Sequence, residues 1–266
     1  MEDRRLARTE MEGTKKFPVL RVTEEGKSEI EDMLAREGSL TIILNEHQLA
    51  TLFCTPSNLD YLAVGFIASE GLLRSKDEIK RITVDDKNGM VWVETIDDKR
   101  QPAETLPKRV IASSGGRGLA SVTHWRKVES QMNISTHDVF GLVEKFQHRS
   151  PIFRATGGTH LAALCDTSDI LISAEDIGRH NALDKVLGEC ILKDVPTDDR
   201  IVITSGRVSS EILLKVARRR IPMTISISAP TDLAVRLASD WGITLIGFAR
   251  GKRMNVYAHS WRVEAA

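Results

Sequence analysis

Residues 200–249 read RIVITSGRVSSEILLKVARRRIPMTISISAPTDLAVRLASDWGITLIGFA, and this stretch decides the fold. Three short apolar runs (RIVITS, PMTISIS, ITLIGFA) alternate with two segments of helical spacing (SSEILLKVARRR, TDLAVRLASDWG). Strands joined by helices of this length predict parallel neighbours in one sheet, hence an α/β fold class. Thr231 is placed to cap the second helix and Gly242 to end it. Upstream, HLAALCD (160–166) and DILISA (169–174) predict two further strands. They lead into EDIGRHNALDKVLGECIL (175–192), where Leu183, Val186, Leu187, Cys190 and Ile191 make an apolar stripe at helical spacing.

The first half has a different rhythm. LTIILNEHQLATLFCT (40–55) predicts a hairpin turning at Asn45-Glu46-His47, and EIKRITVDDKNGMVWVET (78–95) a second one turning at Asn88-Gly89. Between them, SNLDYLAVGFIASEGLL (57–73) predicts a helix with Leu59, Leu62, Ala63, Phe66 and Ile67 on one face. Ser57 is its candidate N-cap and Gly71 its stop. The chain therefore divides into a polar tail (1–16), a smaller α+β unit (17–108) and the larger α/β unit (109–266). No internal repeat or low-complexity tract occurs.

Bulk properties narrow the function. Of 266 residues, 41% are hydrophobic and 28% charged, as in a packed globular protein. Lys+Arg and Asp+Glu both total 37, so no net charge steers the chain to nucleic acid or an anionic membrane. A bound polyanion must meet a local cluster. No apolar run approaches the roughly 18 residues of a membrane span. The opening MEDRRLARTEMEGTKK lacks the apolar middle of a secretory signal. With three widely spaced cysteines, Cys54, Cys165 and Cys190, this gives the expectation of a cytoplasmic protein with reduced thiols. Cys165 and Cys190 fall on apolar stripes, as core thiols do, whereas Cys54 ends a strand before Thr55-Pro56 and is expected to be more exposed.

Ligands of open parallel sheets lie beyond the carboxyl ends of the strands. Those ends are Ser205-Gly206-Arg207, Ser228-Ala229-Pro230-Thr231 and Arg250-Gly251-Lys252-Arg253. Four cations (Arg207, Arg250, Lys252, Arg253) gather there on a neutral chain, beside helix starts that favour anions. Solvated strand-end charges are the alternative; convergence on one edge favours a ligand bearing phosphate. Arg179 and His180, at the start of their helix, oppose its dipole and need compensation from Glu175 and Asp176 or from a bound anion. Gly157-Gly158 in TGGTH brings amides close to a ligand or simply makes a tight turn.

Residues 113–118, SSGGRG, follow a short apolar run and are no phosphate loop of the Walker type, since no Gly-Lys-Ser/Thr ending follows. In order along the chain, LAVGFIASEGLL, SSGGRG, TGGTHLAAL, EDIGRHNALDKVLG, SGRVSSEILLKVA, SAPTDLAVRLA and TLIGFARGKRMNVY closely resemble the FdhD family of formate dehydrogenase accessory sulfurtransferases. The resemblance spans roughly residues 40–257. It implies a cytidine-deaminase-like α/β/α domain joined to a smaller α+β domain, and a homodimer. It also implies sulfur transfer from a cysteine desulfurase to the bis(molybdopterin guanine dinucleotide) molybdenum cofactor, a cargo destined for formate dehydrogenase. The cofactor contact carries over to Phe248, Ala249, Arg250, Gly251, Lys252 and Arg253, with Arg207, Arg179 and His180 as further candidates and GDP or GTP as an analogue of the guanine end.

The family loop has the pattern Ser-Ser-Cys-Gly-x-Cys-Gly. Here Gly115 and Gly118 occupy the two cysteine positions. Glycine cannot form the thiolate on which sulfur transfer depends. Two expectations result: a sulfurtransferase with a relocated thiol, or an accessory protein that binds cofactor without carrying sulfur. Zinc-dependent deamination, suggested by the implied fold, lacks its residues, because the chain has no Cys-x-x-Cys and no His-x-Glu. No metal ligand is assigned.

Overall fold

The computed structural model describes residues 11–96, 110–111 and 127–265. The chain opens with β1 (Thr14–Thr23) and β2 (Gly26–Ala35), an antiparallel ribbon whose strands pair only with each other. β1 thus begins inside the stretch expected to be a polar tail. Phe17, Leu20, Val22 and Leu34 are exposed on the ribbon, and Met33 is buried at its base.

β3 (Gly38–Leu44) and β4 (His47–Cys54) form the predicted hairpin. Its two turn residues, Asn45 and Glu46, both take positive φ, which suits the right-handed twist of the flanking strands. α1 (Leu59–Ser69) follows, and its predicted face is buried. Its N-cap is Asn58 in the left-handed region, not Ser57. Ser57 instead turns its hydroxyl to Lys185 Nζ at 3.5 Å. Gly71, at φ 82, follows the helix end as predicted. β5 (Ile79–Asp85) and β6 (Met90–Thr95) are the second hairpin. Gly89 in its turn has φ 62, and a Cβ there would lie 2.1 Å from Ser39 O. With β7 (Val110–Ile111), these strands form a sheet in the order β5-β6-β3-β4-β7. α1 covers it through Leu59, Leu62, Phe66 and Ile67 against Leu40, Ile42, Val91 and Val93.

The larger unit begins with β8 (Ile134–Ser135), α2 (Thr136–Gln147) and α3 (Pro151–Thr156). Ser135 caps α2 by accepting from Asp138 N. β9 (His160–Cys165), β10 (Ile170–Asp176) and α4 (Arg179–Leu192) follow. Next come β11 (Ile201–Thr204), α5 (Ser210–Arg218), β12 (Met223–Ser226), α6 (Asp232–Trp241) and β13 (Thr244–Arg250). β14 (Arg253–Ala258) returns antiparallel, and β15 (Val263–Glu264) pairs with β8.

The main sheet has the order β10-β9-β11-β12-β13-β14. β11, β12 and β13 are parallel, as their alternation with helices predicts, while β9 and β10 join antiparallel on one side. Thr231 caps α6 by accepting from Ala234 N, and Gly242 ends it at φ 76, both as predicted. α4, α5 and α6 bury Leu183, Val186, Leu187, Ile212, Val216 and Ala238 against one face. α2 buries Val139, Leu142, Val143 and Phe146 against the other. The unit therefore has three layers, and each fully buried side chain of this size contributes about 1.5–3 kcal/mol.

α1 and α4 join the two units. Their backbones approach so closely that a Cβ on Gly65 would lie 1.8 Å from Asp184 O, and one on Gly188 1.9 Å from Tyr61 O. Two buried ion pairs flank the crossing: Asp176 with Lys185 at 2.7 Å, and Asp184 with Lys215.

Candidate functional site

β11 ends at Thr204, and its continuation is held on both sides. Ser205 N donates to Leu161 O at 2.9 Å, and Ser205 Oγ accepts from Leu161 N at 3.0 Å. Ser226 Oγ at the end of β12 donates to Gly206 O at 2.8 Å. Val208 N then donates to Ala229 O, Thr231 N to Val208 O, and Phe248 N to Ser228 O, at 2.9–3.1 Å. These bonds knit the ends of three adjacent strands into one rim. A Cβ on Gly247 would meet Pro230 Cδ at 2.8 Å, which shows how closely the rim is packed.

The rim carries the expected cations. Arg207 is exposed on the β11–α5 connection. Arg250 and Arg253 face each other across the β13–β14 turn, where Gly251 takes φ 59 and Lys252 completes the two-residue loop. Phe248, at φ 53, places its ring 6.0 Å from the Arg250 guanidinium, while Ala249 is buried. Arg207, Arg250, Lys252 and Arg253 form no ion pair with a described residue.

Arg179 and His180 open α4 beside the same rim. The Arg179 stem lies on Gly206, where a Cβ would come within 2.8 Å of it. Burial and the neighbouring Arg207 lower the Arg179 pKa, opposed by Glu211. Burial, then Lys215, Arg179 and His160, push His180 down to about 3. His160, lowered by burial and Arg179 against the pull of Asp176, lies with Nδ1 3.2 Å from Ser205 Oγ. Both imidazoles are therefore neutral near pH 7.

The compensation expected from Glu175 and Asp176 is not made. Glu175 turns to the opposite face, where it accepts from Ile152 N (3.0 Å), Phe153 N (2.8 Å) and Thr159 Oγ1 (3.0 Å). Asp176 is fully buried against Lys185 and also accepts from Thr55 N, Gly178 N and Asn181 Nδ2. Adjacent residues on a strand point to opposite faces, which separates the two carboxylates. Glu211 takes their place, with Oε2 3.6 Å from His180 Nε2. Gly157, at φ 68, ends α3, so TGGTH makes a helix stop and turn.

A family model described as FdhD/NarQ family matches residues 35–264. The chain belongs to this family. It is 42% identical over 241 residues to the sulfur carrier protein FdhD of Bacillus subtilis, covering 89% of this chain and 92% of that one. The protein of the same name from Bacillus pumilus is 41% identical over 237 residues, covering 87% and 90%. A crystal structure assigned to a formate dehydrogenase accessory protein of Desulfotalea psychrophila superposes with a TM-score of 0.81 at 25% identity, covering 95% of this chain and 100% of that one. The resemblance carried by the stretches from LAVGFIASEGLL to TLIGFARGKRMNVY is thereby correct as to family.

For a family whose members are called sulfur carriers, the thiols are decisive. Gly115 and Gly118 lie outside the described residues. Cys54 is 1% exposed, contrary to expectation, because it alternates inward on β4 with Leu52 while Phe53 faces out. Burial first, then Asp176, push its thiol up to about 12 against the pull of Lys185. Cys165 and Cys190 are buried as expected, and burial likewise takes each to about 12. None of the three presents a thiolate near neutral pH.

Glu211 and Lys185 were not singled out by the sequence, whereas Ser205 and Gly206 were marked as part of a strand end and His160 only as the close of TGGTH. Gly206 follows a predicted strand end, and Lys185 interrupts an apolar helix face. Those two carried a signal; Glu211 looks like any solvent-facing first-turn acid. No helix among the described residues is long and apolar enough to cross a membrane.

Proposed function

We propose that this chain is a formate dehydrogenase accessory protein that binds the bis(molybdopterin guanine dinucleotide) cofactor as cargo and does not carry sulfur covalently. The single observation behind this reading is the burial of every remaining cysteine, in a chain with glycine at both loop positions. A protein without an accessible thiolate has no nucleophile for persulfide chemistry. The rim supports binding: Phe248–Arg253, Arg207, Arg179 and His180 offer guanidinium forks without an ion pair to a described residue, an aromatic face and, in Arg179 Nε, a buried donor with no hydrogen-bond partner, suited to a guanine nucleotide and its phosphates. The three-layer sheet fits the cytidine-deaminase-like scaffold that the resemblance implies, and the protein would work as a homodimer.

GDP at a hundredfold excess over its Kd should stabilise the protein by about 2.7 kcal/mol. The melting temperature should rise accordingly, and Arg250→Ala with Arg253→Ala should abolish the rise. No rise at millimolar GDP rejects the binding reading.

The relatives' shared name supports a second reading, sulfur transfer from a cysteine desulfurase. Intact mass after incubation with desulfurase and cysteine separates the two. An adduct of one sulfur on Cys54, Cys165 or Cys190 establishes transfer; an unchanged mass, with an adduct on Gly115→Cys/Gly118→Cys, supports the carrier-free reading.

A further inference from the structure

A cavity of about 250 Å³ shares none of its lining with the cationic rim. Sites for drug-sized ligands run to about 300–1,000 Å³, so its occupant is small. Ser173, Ala174 and Glu175, three consecutive residues of β10, line it. Neighbours on a strand point to opposite faces, so all three share one cavity only along the strand's edge. β10 is the outer strand of its sheet. Leu161 O accepts from Ser205 N, so the main chain of Leu161 faces β11. Glu175, opposite Leu161, therefore turns its N–H and C=O away from β9, and Ser173, two residues earlier, does the same. Lys185 Nζ reaches Glu175 O at 3.4 Å. The Ser173 N–H and C=O stand unclaimed by any described strand.

Charge of both signs faces the same space. Arg149 lines it, and its charge reaches Asp169 without an ion pair, since Asp169 pairs with Lys145 instead. Glu12 lines it too, in a turn closed by Thr14 N to Met11 O and Met11 N to Thr14 Oγ1, both at 3.0 Å. Gly13 seats this turn against the wall: a Cβ there would lie 3.0 Å from both Ile152 Cδ1 and Thr55 Cγ2. Arg149 and Glu12 form no ion pair with each other or with another described residue. Glu175 accepts from four donors, Ser150 Oγ among them, and balances no cation among the described residues.

We infer that this cavity binds a free α-amino acid with an aliphatic side chain, held as a single residue added to the edge of β10. Its ammonium donates to Ser173 O and faces Glu12, while its carboxylate accepts from Ser173 N and meets the Arg149 guanidinium. The side chain packs on Ile152 and Leu161, the apolar part of the lining. An amino acid carries on one carbon the donor and the acceptor that a strand residue offers its neighbour, with a full charge on each. The site does not depend on the nucleotide reading proposed above.

Calorimetric titration of the full chain with L-leucine, isoamylamine and 4-methylpentanoate tests the assignment, because the two analogues keep the alkyl group and each lacks one charge. Leucine should bind at least tenfold more tightly than either. Arg149→Gln should weaken leucine and 4-methylpentanoate at least tenfold and leave isoamylamine unchanged. Glu12→Gln should weaken leucine and isoamylamine and leave 4-methylpentanoate unchanged. Both positions are exposed, so neither substitution should move the melting temperature. Absence of leucine binding at millimolar concentration overturns the site, as does a leucine affinity that neither substitution changes. Leucine bound no more tightly than both analogues overturns the amino-acid assignment. Saturating GDP should leave leucine binding intact; competition between them would put leucine at the rim and overturn a separate site.

Discussion

His180 is a histidine that folding keeps neutral. Its pKa of about 3 lies below the ordinary 6.5, so between those values the unfolded chain binds a proton that the folded one refuses. Stability attributable to this residue is complete above pH 6.5 and falls as the pH drops toward 3. The urea midpoint of His180→Gln should therefore decline less between pH 7 and pH 4 than that of the wild type. Parallel declines would show that His180 is not desolvated. A second expectation concerns the thiols: a disulfide exchange reagent at pH 8 should modify Cys54, Cys165 and Cys190 only as fast as the protein unfolds. At this scale the sequence was legible where a residue's role follows its own strand or helix, as for the core thiols of Cys165 and Cys190. It failed at Glu175 and Asp176, whose partners come from α3, β4 and α4, segments up to 121 residues away.

Among elements, α1 and α4 illustrate what a missing side chain does. Gly65 and Gly188 face each other's backbones, and neither helix can shift without losing the apolar stripe behind it. Gly188→Ala should cost about 3 kcal/mol, the upper part of the range for overpacking, or prevent folding. Gly141, midway along α2 with nothing within 4 Å of a built Cβ, should behave oppositely. Gly141→Ala should stabilise by about 1 kcal/mol through helix propensity alone. Chemical denaturation of the two variants reads both signs. Helices, hairpins and caps such as Thr231 and Gly242 were legible because spacing and turn chemistry are local. The antiparallel entry of β9 and β10 was not, since a buried apolar run looks the same whichever way its neighbour points.

Across the whole molecule, the Asp176–Lys185 pair ties the two units into one. Lys185 Nζ also donates to Thr55 O at 3.0 Å, and Asn181 Nδ2 to Phe53 O at 2.8 Å, so the end of β4 is fastened to α4. Lys185→Met, which strands the Asp176 charge, should destabilise by about 3–5 kcal/mol. Calorimetry of the wild type should show one transition, since neither unit loses this junction alone. The ribbon of β1 and β2 stands apart from that economy. Its apolar residues on one face each meet a charge directly across the strand pair: Pro18 with Glu31, Leu20 with Glu29, Val22 with Lys27. Any third strand docking edgewise would bring those charges beside its own apolar residues. Concentrated solutions should therefore stay clear, and replacing Glu29 and Glu31 by valine should turn the same ribbon into a seed for fibrils.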